Sequence, residues 1–111
     1  MLLTHALRTH LHRNADLSAQ RECDHRPIVK FFTPDAQATW LFTELAPDGD
    51  TLFGLCDLGH GSPELGNASL AEIQAIRGPL RLLVERDRHF RADRPLSEYA
   101  SEARREGRIV A

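Results

Sequence analysis

The stretch Thr51–Ile73, TLFGLCDLGHGSPELGNASLAEI, joins an apolar strand, a loop rich in glycine and acidic residues, and a capped helix. Apolar residues and a following turn signal predict a strand over Thr51–Asp57. Three glycines and one proline then predict a loop over Leu58–Asn67. Ser69 and Glu72 form the S-x-x-E capping box, in which each side chain accepts a free backbone N–H of the first helical turn. This stretch therefore predicts a change from sheet to helix.

Downstream of this stretch, the sequence predicts the end of that helix, one more strand and one more helix. Gly78-Pro79 ends the helix, because Gly tolerates a left-handed cap and Pro cannot continue a helix. The next strand is predicted over Leu80–Arg86. Ser97 is predicted to cap the last helix, which continues to about Glu106 and ends at Gly107.

Upstream, the sequence predicts one helix and two strands. Thr4 can cap a first helix whose leucines recur every fourth residue on one face. The polar segment Asn14–Arg26 shows no periodicity and predicts a loop. Pro27–Phe32 and Thr39–Leu45 predict strands, and Pro47–Asp50 is a strong turn signal. Turns this short imply an antiparallel meander.

These elements predict a single α+β domain over residues 1–111, in the order αβββαβα, with helices packed on a small, mostly antiparallel sheet. In Thr39–Leu45, strand alternation places Glu44 on the same face as two aromatic residues, where Lys30 could pair with it. We expect the apolar residues to form one core that contains Trp40, Phe42, Phe53, Leu55, Leu70, Ile73 and Ile76.

Composition limits the classes of function. The 111 residues carry a formal net charge of −2, which disfavours nucleic acid as the partner because nucleic-acid binders usually have a basic excess. No apolar run approaches the ~20 residues that a membrane span needs, and the start lacks the apolar core of a signal peptide. Cys23 and Cys56 form no CxxC pair, so we expect reduced thiols and a cytoplasmic protein.

Nine short segments occur in an order that resembles a known family. They are LLTHALR (2–8), VKFFTP (29–34), TWLFTEL (39–45), DGDTLFGLCDLG (48–59), PELG (63–66), SLAEI (69–73), RGPL (77–80), VERDRHF (84–90) and PLSEYA (95–100). On these segments the chain is similar to the bacterial family of unknown function number 2958, and this resemblance covers nearly the whole sequence. The resemblance implies a setting on plasmids and integrative elements and assigns no catalytic residues.

Two groups of side chains could form a site. Cys56, Asp57, His60 and Glu64 lie around the glycine-rich loop and are residue types that bind zinc, but their spacing matches no standard zinc motif. A tight loop stabilised by local capping explains the same residues. If the strand after Leu80 stays extended, Glu85, Asp87 and His89 share one face, where they could do acid–base work or form offset ion pairs.

Function follows from these observations only as an expectation. No phosphate loop, nucleophile elbow or ordered triad is present, so the sequence predicts neither a cofactor nor catalytic residues. We expect an accessory protein of a mobile element that binds a host or element protein. The alternatives are a carboxylate- or metal-dependent hydrolase and a nucleic-acid-binding module that uses the arginine-rich second half.

The binding surface is expected where the loop after Asp57 meets the end of the last strand. Loops held by rigid elements can aim side chains, and this loop combines glycines with ionisable groups. The expected contact residues are Asp57, Glu64, Glu85, Asp87 and His89.

Overall fold

A five-stranded antiparallel sheet with three helices forms the fold in the computed structural model, which describes residues 2–111. The predicted α+β class is confirmed, with one strand more than expected. The elements are α1 (His5–Gln20), β1 (Val29–Phe32), β2 (Thr39–Leu45), β3 (Thr51–Asp57), β4 (Glu64–Ser69), α2 (Leu70–Ala75), β5 (Glu85–Arg86) and α3 (Leu96–Glu106). None of the helices within residues 2–111 has both the length and the apolar run that crossing a bilayer demands.

The additional strand, β4, lies in the second half of the segment that was predicted to be a loop. The strand order is β4-β3-β2-β1-β5, so β4 and β5 are opposite edges. β4 pairs with β3 residue by residue, with Leu65 opposite Leu55 and Asn67 opposite Phe53. The prediction failed because ELGNAS has little intrinsic strand preference, and its conformation is set by hydrogen bonds to β3.

α1 is longer than expected and continues through Asn14 to Gln20, so the loop predicted over Asn14–Arg26 is confirmed only from Arg21 to Arg26. Two of its polar residues, Asn14 and Ser18, form hydrogen bonds to the sheet instead of facing solvent alone. The Asn14 side-chain Nδ2 donates to the Thr43 carbonyl at 3.0 Å, and the Ser18 hydroxyl donates to Glu44 at 3.0 Å. These tertiary hydrogen bonds stabilise helix in a segment whose composition does not indicate one.

A β-bulge in β2 changes which side chains share a face. The register with β3 shifts between Phe42 and Glu44, so Thr43 is the extra residue. Beyond the bulge, Glu44 stands opposite Phe53, and Leu45 enters the core that contains Phe42. The prediction that Glu44 shares a face of β2 with Trp40 and Phe42 is therefore wrong.

Apolar residues pack on both faces of the sheet, so the expectation of a single core is also wrong. α1 and α2 cover one face, whose buried residues include Trp40, Phe42, Leu70 and Ile73, with Ile76 packed against them. α3 covers the other face, where Leu55 is buried and Phe53 is partly buried. Alternation along β3 sends these two residues away from the first core.

The predicted helix caps are partly confirmed. Ser69 caps α2 and accepts the Glu72 N–H at 3.2 Å, but the second acceptor is the carboxylate of Asp50, which takes the Ala71 N–H at 2.8 Å. α2 ends at Ala75, before Gly78-Pro79. Gly107 ends α3 with φ 73°, as expected. Its start differs, because Pro95 holds the N-cap position and Ser97 lies inside the helix.

Candidate functional site

The segment between α2 and β5 folds back on itself as a hairpin, which we call the leucine hairpin (residues 77–83). Arg77 and Leu83 form a single antiparallel bridge. At its end, Arg81 N donates to the Gly78 carbonyl at 2.8 Å, and Gly78 N donates to the Leu82 carbonyl at 3.2 Å. Arg81 has φ 63°, the left-handed conformation that completes a three-residue hairpin loop. The strand predicted over this segment is therefore reduced to Glu85–Arg86.

The leucine hairpin is attached to the turn between β1 and β2 by one carboxylate. Asp35 Oδ2 accepts the Leu80 N–H at 2.7 Å and lies 3.4 Å from the Leu82 nitrogen. The carboxylate packs directly on Gly78, where a Cβ would lie 1.8 Å from Asp35 Oδ1. Gly78 is therefore needed for this close approach, and the hairpin has a defined position relative to the sheet.

Three leucines of the hairpin are turned towards solvent. Leu80 is 74% exposed, Leu82 is 44% exposed and Leu83 is 49% exposed. Within residues 2–111, only two other large apolar side chains are exposed, Leu58 and Leu65. Leu58 follows β3 and Leu65 lies in β4, whereas the leucine hairpin precedes β5 at the opposite edge of the sheet. Apolar residues grouped in this way typically mark an interaction surface.

A groove with a volume of about 980 Å³ lies between the leucine hairpin and the segment that follows it. We call it the β5 groove. Leu2 and Phe32 contribute apolar surface, and Arg77, Leu82 and Leu83 contribute the hairpin side. Gln74 and residues 84–89 complete its lining.

The β5 groove brings together Glu85, Asp87 and His89, though by a different geometry from the expected strand. β5 ends at Arg86, and Asp87 then begins a turn in which its Oδ1 accepts the His89 N–H at 2.9 Å. Asp87 Oδ2 also lies 3.7 Å from Lys30 Nζ. Lys30 therefore pairs with Asp87. The sequence suggested Glu44 as its partner, and that prediction is wrong. Glu85 forms no ion pair with any residue from 2 to 111.

The other two expected contact residues lie elsewhere. Asp57 is 3% exposed, and its oxygens accept the N–H groups of Gly59 and Ile109, both at 2.9 Å. It therefore holds the C-terminal segment against the sheet. Glu64 is exposed on β4, four strands from β5, which corresponds to about 19 Å at the usual strand spacing. The strand order places Glu64 and Glu85 at opposite edges of the sheet, so the structure does not bring the five expected contact residues together.

The structure separates members of the cluster that the sequence suggested as a metal site, because neighbouring residues of β3 point to opposite faces of the sheet. Cys56 packs against the core under α1, whereas Asp57, the next residue, points to the other face. Across residues 2–111, no three side chains of the His, Cys, Asp and Glu types come together in an arrangement that could hold a metal ion.

The groups with shifted pKa values lie outside the β5 groove. Hydrogen bonds from the Thr51 hydroxyl and from the N–H groups of Thr51 and Asp50 lower the pKa of Asp48 to about 2. Burial raises the pKa of the Cys56 thiol. A hydrogen bond to Glu102 raises the pKa of Arg94. The interactions of Asp48 and Arg94 stabilise local structure at the surface.

A second groove, of about 490 Å³, surrounds the displaced Glu44 and is lined by His25, Phe53 and Leu65 among others. Ser18 links Glu44 to His25, since the serine hydroxyl donates to the carboxylate and lies 3.0 Å from His25 Nε2. This chain of hydrogen bonds ties the end of α1 to the bulge of β2.

Sequence reasoning missed the three exposed leucines, although the sequence contains a sign of them. The run Leu82-Leu83-Val84 follows a Gly-Pro turn and does not alternate, so its side chains cannot all face the core of a half-buried strand. Of these three residues, only Val84 is buried. A non-alternating apolar run beside a turn is therefore the pattern that indicates such a surface.

Comparison with known proteins identifies one family. The family model described as "Protein of unknown function (DUF2958)" matches residues 2–110. No curated protein and no solved structure matches the chain.

Proposed function

We propose that this chain, which belongs to the DUF2958 family, is a small non-enzymatic module that binds a partner protein through the leucine hairpin and the β5 groove. The family description assigns no activity, so the proposal rests on the surface of the molecule.

The single observation that carries the proposal is the set of exposed leucines on an anchored hairpin. Burying one leucine side chain contributes roughly 1.5–3 kcal/mol, and the isolated chain leaves most of this contribution unused at Leu80. The hairpin is nevertheless fixed by Asp35 and by the close approach of Gly78. A rigid element that presents apolar side chains needs little ordering on binding, which favours affinity.

Chemical class also favours a protein partner over nucleic acid. Leucines gain nothing from contact with phosphate groups, whereas they fit the apolar centre of a protein interface. These residues support protein binding as the leading function.

We place this binding in the cytoplasm of a bacterium, in an accessory protein of a mobile genetic element. The setting comes from the family resemblance and is an association, not a mechanism. The two free cysteines, Cys23 and Cys56, suit a reducing compartment. The partner would be a protein of the host or of the element itself.

The test is affinity capture from a lysate of the native host, with the full chain as bait. The double variant Leu80→Ser with Leu82→Ser should lose a specific partner, because it removes the apolar contact without touching a buried residue. The control is Leu58→Ser, which removes a leucine that is 58% exposed and lies away from the hairpin. The proposal fails if the double variant captures the same proteins as the unchanged chain, or if the control loses them equally.

A further inference from the structure

The charges around the leucine hairpin are unbalanced. Four guanidinium groups of the hairpin and the β5 groove form no ion pair with any residue from 2 to 111, namely Arg77, Arg81, Arg86 and Arg88. The carboxylate of Asp87 is paired with Lys30, which leaves two acidic groups without an ion pair, Glu85 in the groove and Asp35 against Gly78 of the hairpin. A chain with a net charge of −2 therefore has a local surface with an excess of positive charge.

Hydrogen bonds to backbone carbonyls hold two of these arginines without neutralising them. Arg77 donates to the carbonyls of Gln74 and Ile76, both at 3.2 Å, and Arg86 donates to the carbonyl of Leu2. Carbonyl acceptors orient a guanidinium group and leave its charge unpaired. Arg81 and Arg88 are both exposed. Arg81 lies between Leu80 and Leu82 in the sequence, and Arg88 lines the β5 groove together with Leu82 and Leu83.

We propose that the occupant of this surface is an acidic amphipathic helix of a partner protein. This inference rests on the proposed function and adds the chemistry of the partner. The three leucines require an apolar stripe, and the unpaired arginines beside them require carboxylates that border it. A helix with one apolar face and flanking Asp or Glu residues meets both requirements.

The short length of the edge strand β5 favours a helix over an added strand as the partner element. β5 has two residues, so an extended peptide could form few backbone hydrogen bonds along it. A helix satisfies its own backbone groups and can bind through side chains alone. The β5 groove, with a volume of about 980 Å³ and with Leu82 and Leu83 on its hairpin side, offers a concave surface for such side chains.

The experiment uses the full chain and four defined probes. They are a model helix of about five turns with Leu on one face and Glu on the other, the same helix with Lys in place of every Glu, vesicles of phosphatidylserine and phosphatidylcholine, and a short DNA duplex. Backbone amide NMR shifts report where each probe binds. The Glu helix should shift the amides of Leu80, Leu82 and Arg88, and its affinity should fall as salt is raised.

Charge reversal then tests the arginines directly. The double variant Arg81→Glu with Arg88→Glu should weaken binding of the Glu helix by about tenfold or more, because two attractions become repulsions. The matched control is Arg104→Glu with Arg105→Glu, which makes the same charge change on the exposed side of α3. That control should leave the affinity unchanged.

Several outcomes would overturn the inference. Equal binding of the Lys helix, preferential binding of vesicles or DNA, or unchanged affinity after the Arg81 and Arg88 reversals would each do so. These failures differ from failure of the proposed function. If the leucine double variant loses its captured partner while the arginine double variant keeps it, the proposed function stands and the acidic helix does not. If both variants keep the partner, both proposals fail.

Discussion

Replacing Gly54 with Ala should be among the most damaging small changes in this protein. Gly54 lies in β3 opposite Phe42, immediately beside the bulge of β2. A Cβ at this position would lie 1.9 Å from the Leu41 carbonyl oxygen and 2.8 Å from the Phe42 Cα. Both atoms belong to the backbone, so no side-chain rotation can relieve the overlap.

The size of the effect follows from the displacement that the clash demands. An ordinary contact begins near 3.4 Å, so β2 would have to move from β3 by roughly 1.5 Å. That movement would break about two hydrogen bonds between the central strands and leave their buried groups unsatisfied, at about 1–3 kcal/mol each. With packing strain of about 1–3 kcal/mol added, we expect a loss of about 3–9 kcal/mol, which is a large part of the stability of a typical domain.

The assay is urea denaturation followed by the fluorescence of Trp40, the single tryptophan, which is 2% exposed. Gly66→Ala is the matched control, since Gly66 is the cross-strand neighbour of Gly54 and its Cβ would meet nothing within 4 Å. The control should leave stability unchanged or raise it by up to ~1 kcal/mol. A Gly54→Ala protein within about 1 kcal/mol of the unchanged chain would refute the reasoning, because the two central strands would then have room that the structure does not show.

Three further predictions concern the hairpin, the thiols and acid stability. Gly78→Ala should displace Asp35 and speed hydrogen exchange at the Leu80 N–H without a large fall in melting temperature, and unchanged exchange would contradict the anchor. Cys23 should be alkylated before Cys56 near neutral pH, because burial raises the Cys56 pKa; mass spectrometry without reductant would show the order, and a bridged pair would alkylate at neither. Asp48 has a pKa lowered to about 2 from 3.8, so its contribution is present above pH 3.8 and is lost as the pH falls through about 2. Asp48→Asn should flatten the fall in melting temperature between these values, and an equally steep fall would count against this assignment.

The position of the leucine hairpin explains why stability and binding should separate in this protein. Leu80, Leu82 and Leu83 contribute exposed surface and do not belong to either core. Substitutions there remove little buried area, so they should change partner binding at nearly constant melting temperature. Substitutions at the carboxylate of Asp57 should do the opposite, because its two oxygens hold backbone N–H groups in the fold.

The sequence by itself determined the parts of the structure that depend on local chemistry. β2 and β3 have the predicted bounds, because their apolar patterns lie between strong turn signals. Ser69 and Gly107 act at the helix ends as predicted, since a cap depends on a hydroxyl or on a left-handed residue within one turn. The α+β class followed from the order of these elements.

Tertiary structure decided the features that depend on pairing between distant segments. β4 exists because β3 supplies its hydrogen bonds, and the bulge at Thr43 redirects Glu44 and Leu45 to faces that simple alternation does not predict. The strand order places β4 and β5 at opposite edges and so separates Glu64 from Glu85, two residues that their local sequences could not position. The leucine hairpin is exposed because Asp35, more than forty residues away, holds its backbone in place. Long-range contacts of this kind have no local signature, since their free energy arises only when the chain brings both partners together.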